Sequence, residues 1–348
     1  MKLVIDTDAG IDDAAAIVWL FCQHDVSVEI LGITTVVGNT TVENVTNNVL
    51  TLLDAFEMPN VPIAMGASCP LVRHLGMASA LLHGPDGLWF VGSENPHDLS
   101  ALSKDVPAFY QRLARDHPGE KILALGPLTN IAMAIQRFPV EMAQFSEIII
   151  LGGSKKATAP FDDFNLWADP EAAQIVLTSG LAITMVTVEA QEQFVLNQAD
   201  LEHLACYGSR PTQFIVKPMT TFLETLSGFS ELKECTFADV VGAMVALEPE
   251  VVKSAKRALV RIDTGEGLAR GQTYIGDNLS DRFLLAVSED VLDDWAYRAF
   301  SDPNFEIETE VLTALALQPE NALVITEVDR DRMKAMFMNA LGVGGMNL

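Results

Sequence analysis

Five short runs of branched apolar residues, each followed by small or polar residues and then a helical pattern, constrain this chain more than any other feature. They are Leu3–Ile5, Ile30–Val37, Ile122–Leu125, Ile148–Leu151 and Ile183–Val188. Continuous Val/Ile/Leu runs of this kind belong to strands covered on both faces, and strands separated by helices pair in parallel. The expected fold is therefore α/β: a single domain spanning 1–348, with a mixed, mostly parallel central sheet and flanking helices. The C-terminal part continues the pattern. Strands are expected at Ala258–Asp263, Gly271–Thr273 and Leu323–Ile325, and a closing amphipathic helix at Asp329–Leu341.

Nearly every acidic or amide cluster follows the C-terminal end of one of these strands, the edge at which open α/β sheets bind ligands. The densest is Asp6-Thr7-Asp8-Ala9-Gly10-Ile11-Asp12-Asp13, four carboxylates in eight residues leading into a helix over Ala14–Cys22. One or two aspartates would serve as helix caps. Four at such close quarters repel one another unless a cation neutralises them. No His or Cys stands nearby, which disfavours zinc. An all-oxygen set suits Ca²⁺ or Mg²⁺, and several carboxylates on one ion favour Ca²⁺.

Composition excludes other classes. The net charge of −25 argues against nucleic acid as a partner, because phosphate contacts need a basic face. No apolar stretch reaches the roughly 18 residues of a membrane span, so no membrane partner is expected. Met1-Lys2 runs straight into a strand with no signal-peptide core, and Cys22, Cys69, Cys206 and Cys235 show no CxxC spacing. A reduced, cytoplasmic protein is the expectation. No GxGxxG follows the first strand and no P-loop occurs. A phosphatase of the haloacid dehalogenase type also opens with Asp-x-Asp, but the Asp12-Asp13 pair and the Thr34–Asn39 segment do not fit it.

The motif Asp6-x-Asp8-x-Gly10-x-Asp12-Asp13 resembles the DxDxGxDD signature of the inosine–uridine nucleoside hydrolases. The resemblance extends through Ile33–Asn39, His83-Gly84, Gly126–Ala132, Asp163-Phe164-Asn165 and Asp169–Ala173. It implies a calcium-dependent enzyme that hydrolyses the N-glycosidic bond of a ribonucleoside, in which a calcium-bound water attacks the anomeric carbon. Carried over by position, Asp8 would bind the metal and accept the water's proton. Asp13, the backbone carbonyl of Leu125 and Asp239 would complete the metal's protein ligands. Asp12, Asn39 and Asn165 would hold the sugar 2- and 3-hydroxyls. The resemblance further implies a small-molecule nucleoside or N-riboside substrate, a place in purine or pyrimidine salvage, and a homodimer or homotetramer. Outside that pattern, Asp239 would read as the cap of a helix over Val240–Leu247, and Asn39 as a turn residue.

Three departures from the family stand out. Ala238 replaces the histidine that protonates the leaving base in some members, and no His or Tyr occurs between Gly208 and Glu250. Asp163 replaces a glutamate, and Ala157 an asparagine, at positions that hold the sugar 5-hydroxyl. The metal half of the site is thus complete, while recognition of the leaving group and of the 5-position is altered. His83 is the remaining candidate acid, and Trp89 and Trp167 are candidates to stack on a base. An inosine-like purine is the expected substrate ahead of uridine. The alternatives are a hydrolase of a non-standard N-glycoside and a nucleoside- or sugar-binding protein with little turnover.

Overall fold

Along the first strand, Leu3 and Ile5 face one hydrophobic layer and Val4 the other, so the strand is covered on both sides. The computed structural model describes residues 1–348 except 24–27, 77–78, 92–95, 157–162, 230–232, 303 and 343–348.

In chain order the strands are β1 (Lys2–Thr7), β2 (Glu29–Thr35), β3 (Ile63–Met65), β4 (Lys121–Ala124), β5 (Glu147–Leu151), β6 (Ile183–Val186), β7 (Val195–Asn197), β8 (Glu234–Thr236), β9 (Val252–Ile262), β10 (Thr273–Gly276) and β11 (Ala322–Val328). Nine form one sheet in the order β10-β9-β11-β6-β5-β4-β1-β2-β3, and β7 pairs with β8 in a separate ribbon. Within the large sheet β9 runs antiparallel to both of its neighbours, and all other pairings are parallel. This is the expected mixed, mostly parallel α/β architecture. The C-terminal ends of β1, β2, β4, β5 and β6 consequently share one edge.

One layer is built around the helix Ile11–Phe21, where Ala14, Ala15 and Ala16 are fully buried. Such small side chains let the helix Ala238–Leu247, itself apolar on nearly every face, pack closely against it. The first turns of these two helices carry Asp13 and Asp239. The other layer holds Val106–Asp116, Thr129–Arg137 and Pro170–Leu177, whose apolar faces cover Val4, Ile122 and Ile148.

Between β10 and β11 lies a feature that periodicity did not reveal. Three helices, Leu279–Ala286, Glu289–Ser301 and Ile307–Leu317, bury only Trp295 and Leu315. The closing helix is Arg330–Gly342, with Met333, Phe337 and Leu341 buried. Among the described residues no helix is long and apolar enough to cross a membrane.

Candidate active site

A cavity of about 540 Å³ opens at the shared strand edge. Its floor is made by the loop after β1. Asp8 is 1% exposed; its Oδ2 accepts the Asn39 backbone N–H at 2.8 Å, while its Oδ1 is buried without a hydrogen-bond partner. Asp12 faces the same space, and its Oδ1 is likewise unpartnered. Asp13 lies just beneath. It accepts hydrogen bonds from the Thr7 hydroxyl, from Gly10 N at 3.0 Å and from Asn39 Nδ2 at 3.3 Å, which fixes its orientation at the helix start.

Asp239 arrives from the opposite end of the chain and is 4% exposed. One carboxylate oxygen each of Asp12, Asp13 and Asp239 lies within 4.8 Å of the others. The electrostatics follow from that crowding. Burial, then the Asp13 charge, holds Asp8 well above the usual carboxylate range, and the same two causes push Asp12 up to about 7. Asp239 is raised by burial and by the charges of Asp12 and Asp13. Carboxylates at such separations are stable together only if protonated or balanced by a cation. The unpartnered oxygens and the all-carboxylate make-up of the cluster together fit a hard divalent ion.

The Leu125 backbone carbonyl reaches the cavity and accepts from Asn165 Nδ2 at 2.6 Å. Asn39, Asp163, Asn165 and Trp167 also line it, as does Ala238. Asp163 is engaged by the backbone on both oxygens. It accepts from Leu166 N at 3.3 Å, capping the helix Phe164–Ala168, and from Gly153 N. Burial nevertheless raises it to about 7. Ala157 falls outside the described residues.

His83 is buried on the cavity wall. Its Nδ1 accepts the Ile11 backbone N–H at 3.1 Å, so the ring is the neutral tautomer with its proton on Nε2. Burial lowers its pKa to about 4. Asp12 Oδ1 stands 3.9 Å from Nδ1, and the Phe222 ring lies 5.5 Å from the imidazole.

Two residues of the expected set do not line the cavity: Asp13, beneath its floor, and Trp89. The Trp89 indole Nε1–H donates to the Leu82 carbonyl at 2.9 Å, and its ring packs against the core and over Gly84. The aromatic surface beside the site comes instead from Phe164 and Trp167, whose ring centroids are 6.2 Å apart.

Tyr110 and Phe222 escaped the sequence reading, and Asp6, expected to line the cleft, lies beneath it instead. Asp6 is fully buried, and its Oδ2 accepts from Thr34 Oγ1, from Tyr110 OH at 3.1 Å and from Asn130 Nδ2 at 2.8 Å. Asn130 also donates to the Thr35 carbonyl at 2.9 Å, tying β1 to β2 beneath the site. Asp6 and Asn130 were visible as motif positions, but Tyr110 and Phe222 sit on ordinary amphipathic helices with no local signal.

A family model described as inosine-uridine preferring nucleoside hydrolase matches residues 3–335. The chain is 35% identical over 284 residues to uridine nucleosidase 1 of Arabidopsis thaliana, covering 80% of this chain and 82% of that one. It is 30% identical over 282 residues to the inosine-uridine preferring nucleoside hydrolase of Leishmania major, covering 79% and 87%. In fold it resembles a solved plant nucleoside hydrolase, with a TM-score of 0.77 over 98% of this chain and 99% of the other at 23% identity.

Proposed function

Because the chain belongs to the inosine-uridine preferring nucleoside hydrolase family and is thus an N-glycosyl hydrolase of ribonucleosides, we propose that it is a calcium-dependent enzyme whose base is Asp8. The observation that carries this reading is the pair of unpartnered carboxylate oxygens, Asp8 Oδ1 and Asp12 Oδ1, on the cavity floor. Asp8, Asp13, Asp239 and the Leu125 carbonyl would hold the ion. When bound, the cation balances these carboxylates and makes neighbouring water more acidic.

The remaining steps belong to the chain's own residues. Asn39 N–H locks one oxygen of Asp8, leaving the other to take the proton as a water oxygen bonds to the anomeric carbon. Asp12, Asn39 and Asn165 grip the sugar cis-diol, so the attack is nearly intramolecular. The anionic floor stabilises the positive charge that grows on the sugar as the C–N bond breaks. The bond's electron pair leaves with the base. A purine ring would stack against Phe164 and Trp167 and take a hydrogen bond from His83 Nε2–H. Asp163, already bound to two backbone N–H groups, offers the 5-position little.

Ala238 supplies no acid, and such help is typically worth about 10²–10⁴ in rate. Inosine should therefore be turned over faster than uridine. The 35% identity to a uridine nucleosidase favours the opposite preference. The four free cysteines support a reduced, cytoplasmic setting.

The deciding experiment compares kcat/KM for inosine, uridine, 5′-deoxyinosine and p-nitrophenyl riboside, with calcium and with chelator. The nitrophenyl leaving group needs no acid. Fast nitrophenyl release, slower inosine, poor uridine and little penalty for 5′-deoxyinosine are expected, all abolished by chelator and restored by calcium. Fast uridine turnover would overturn the base assignment, and activity surviving metal removal would overturn the calcium reading. Binding of inosine without release of base would make the protein a nucleoside-binding one.

A further inference from the structure

The three helices between β10 and β11 carry charge and apolar surface that the hydrolytic site does not use. Residues 277–320 contain eleven Asp and Glu against two Arg, a net −9 in 44 residues of a 348-residue chain whose total is −25. Both arginines are committed. Arg298 pairs with Asp294 and Glu310, and Arg282 with Glu320.

On Glu289–Ser301 the acidic and aromatic residues share a face. Asp290 and Asp293 lie two turns and one turn before Tyr297, and Phe300 follows three residues after it, the spacings that align side chains along a helix. Tyr297 is 73% exposed and Phe300 95%. The opposite side of the helix is anchored, with Trp295 buried against Phe283. The anchored side thus leaves this face turned to solvent. Large aromatic rings are the residues that dominate interface energetics, and here they sit among uncompensated carboxylates.

We propose that this face is a docking surface for a basic amphipathic segment of another protein, with apolar side chains seated on Tyr297 and Phe300 and lysines or arginines facing Asp290 and Asp293. Charge selects this occupant over a second copy of the chain, which would bring a second row of carboxylates onto the first. The mode is that of an amphipathic helix laid on an apolar strip.

The test uses the full-length protein and two fluorescently labelled 16-residue peptides of equal positive charge. One has leucines at helical i, i+3, i+4 and i+7 spacing among lysines; the other has serines in place of the leucines. Fluorescence anisotropy should show the leucine peptide binding at least tenfold more tightly than the serine peptide, with affinity falling as salt rises. The double variant Tyr297→Ser, Phe300→Ser leaves the charge unchanged and should abolish that preference, while nucleoside hydrolysis stays at the parental rate. Asp290→Asn with Asp293→Asn should flatten the salt dependence. Equal binding of the two peptides, or an aromatic double variant that binds both as before, would mean only general attraction to an acidic protein and would overturn the proposal. So would sedimentation data in which the aromatic variant converts a dimer into a monomer, since a second copy would then be the occupant.

Discussion

Replacing Gly38 with alanine is the sharpest single perturbation of the proposed base. A Cβ built at Gly38 would stand 1.9 Å from Asp8 Oδ2 and 2.6 Å from its Cγ, where an ordinary contact begins near 3.4 Å. The carboxylate would have to retreat by about 1.5 Å. The main chain cannot yield instead, because Gly126 packs so closely on it that even a Cβ there would stand 2.9 Å from Asp8 N. Retreat also breaks the 2.8 Å bond from Asn39 N–H, whose loss from a charged acceptor costs about 1.5–3 kcal/mol. A 1 Å error in a reacting group costs on the order of 10² in rate, equivalent to about 2.7 kcal/mol. Gly38→Ala should therefore lose at least about 10² in kcat on p-nitrophenyl riboside. That substrate needs no acid and so reports on the base side alone. Gly228→Ala, where nothing lies within 4 Å of the added Cβ, is the control and should keep full activity. Both should be assayed as folded protein, verified by circular dichroism. A folded Gly38→Ala variant with kcat within twofold of the parent would refute the claim that the reaction depends on this orientation of Asp8.

Two further outcomes follow from buried groups. His83→Ala should destabilise the fold by about 1–3 kcal/mol, because it leaves the buried Ile11 N–H without its acceptor. His83→Asn, which can return an acceptor to that position, should recover most of the loss in urea denaturation, and equal stability of the two variants would count against the bond. Asp163 has a folded pKa raised to about 7, so the native state holds its proton more tightly than the unfolded chain does. The stability linked to that proton is complete below about pH 4 and lost as pH rises through 7. Asp163→Asn should therefore gain on the parent as pH rises from about 4 to 7, and parallel denaturation midpoints across that range would exclude the shift.

The first-strand cluster and the parallel sheet were legible because each rests on a local pattern that the fold cannot easily override, whereas the return of Asp239 to the site was legible only through the family resemblance, since by itself it reads as a helix cap. Four adjacent carboxylates need a common explanation, and apolar runs before Gly or Asn place strand ends at one edge. Other features depended on contacts distant in sequence. Trp89 lies in the glycine-containing loop after His83, which invited a role over the cleft, yet its indole N–H is taken by Leu82 and its ring by the core. Asp163 matches a family position, but the capping of its own helix and the Gly153 N–H decide how it is used. The reversal of β9 has no signature in composition, since strands read alike in either direction. The helices over 279–317 bury too few residues to show a continuous apolar stripe.

The close packing of the helices at Asp13 and Asp239 also sets an order of events during synthesis. The two acids are 226 residues apart in the sequence. At about 5–20 residues per second, Asp8, Asp12 and Asp13 are made roughly 11–45 s before Asp239. Throughout that interval the nascent chain has the repelling carboxylates without the last of their partners, and the alanine-faced helix without the helix that covers it. The acidic floor is thus the first part of the site to be made and the last to be completed.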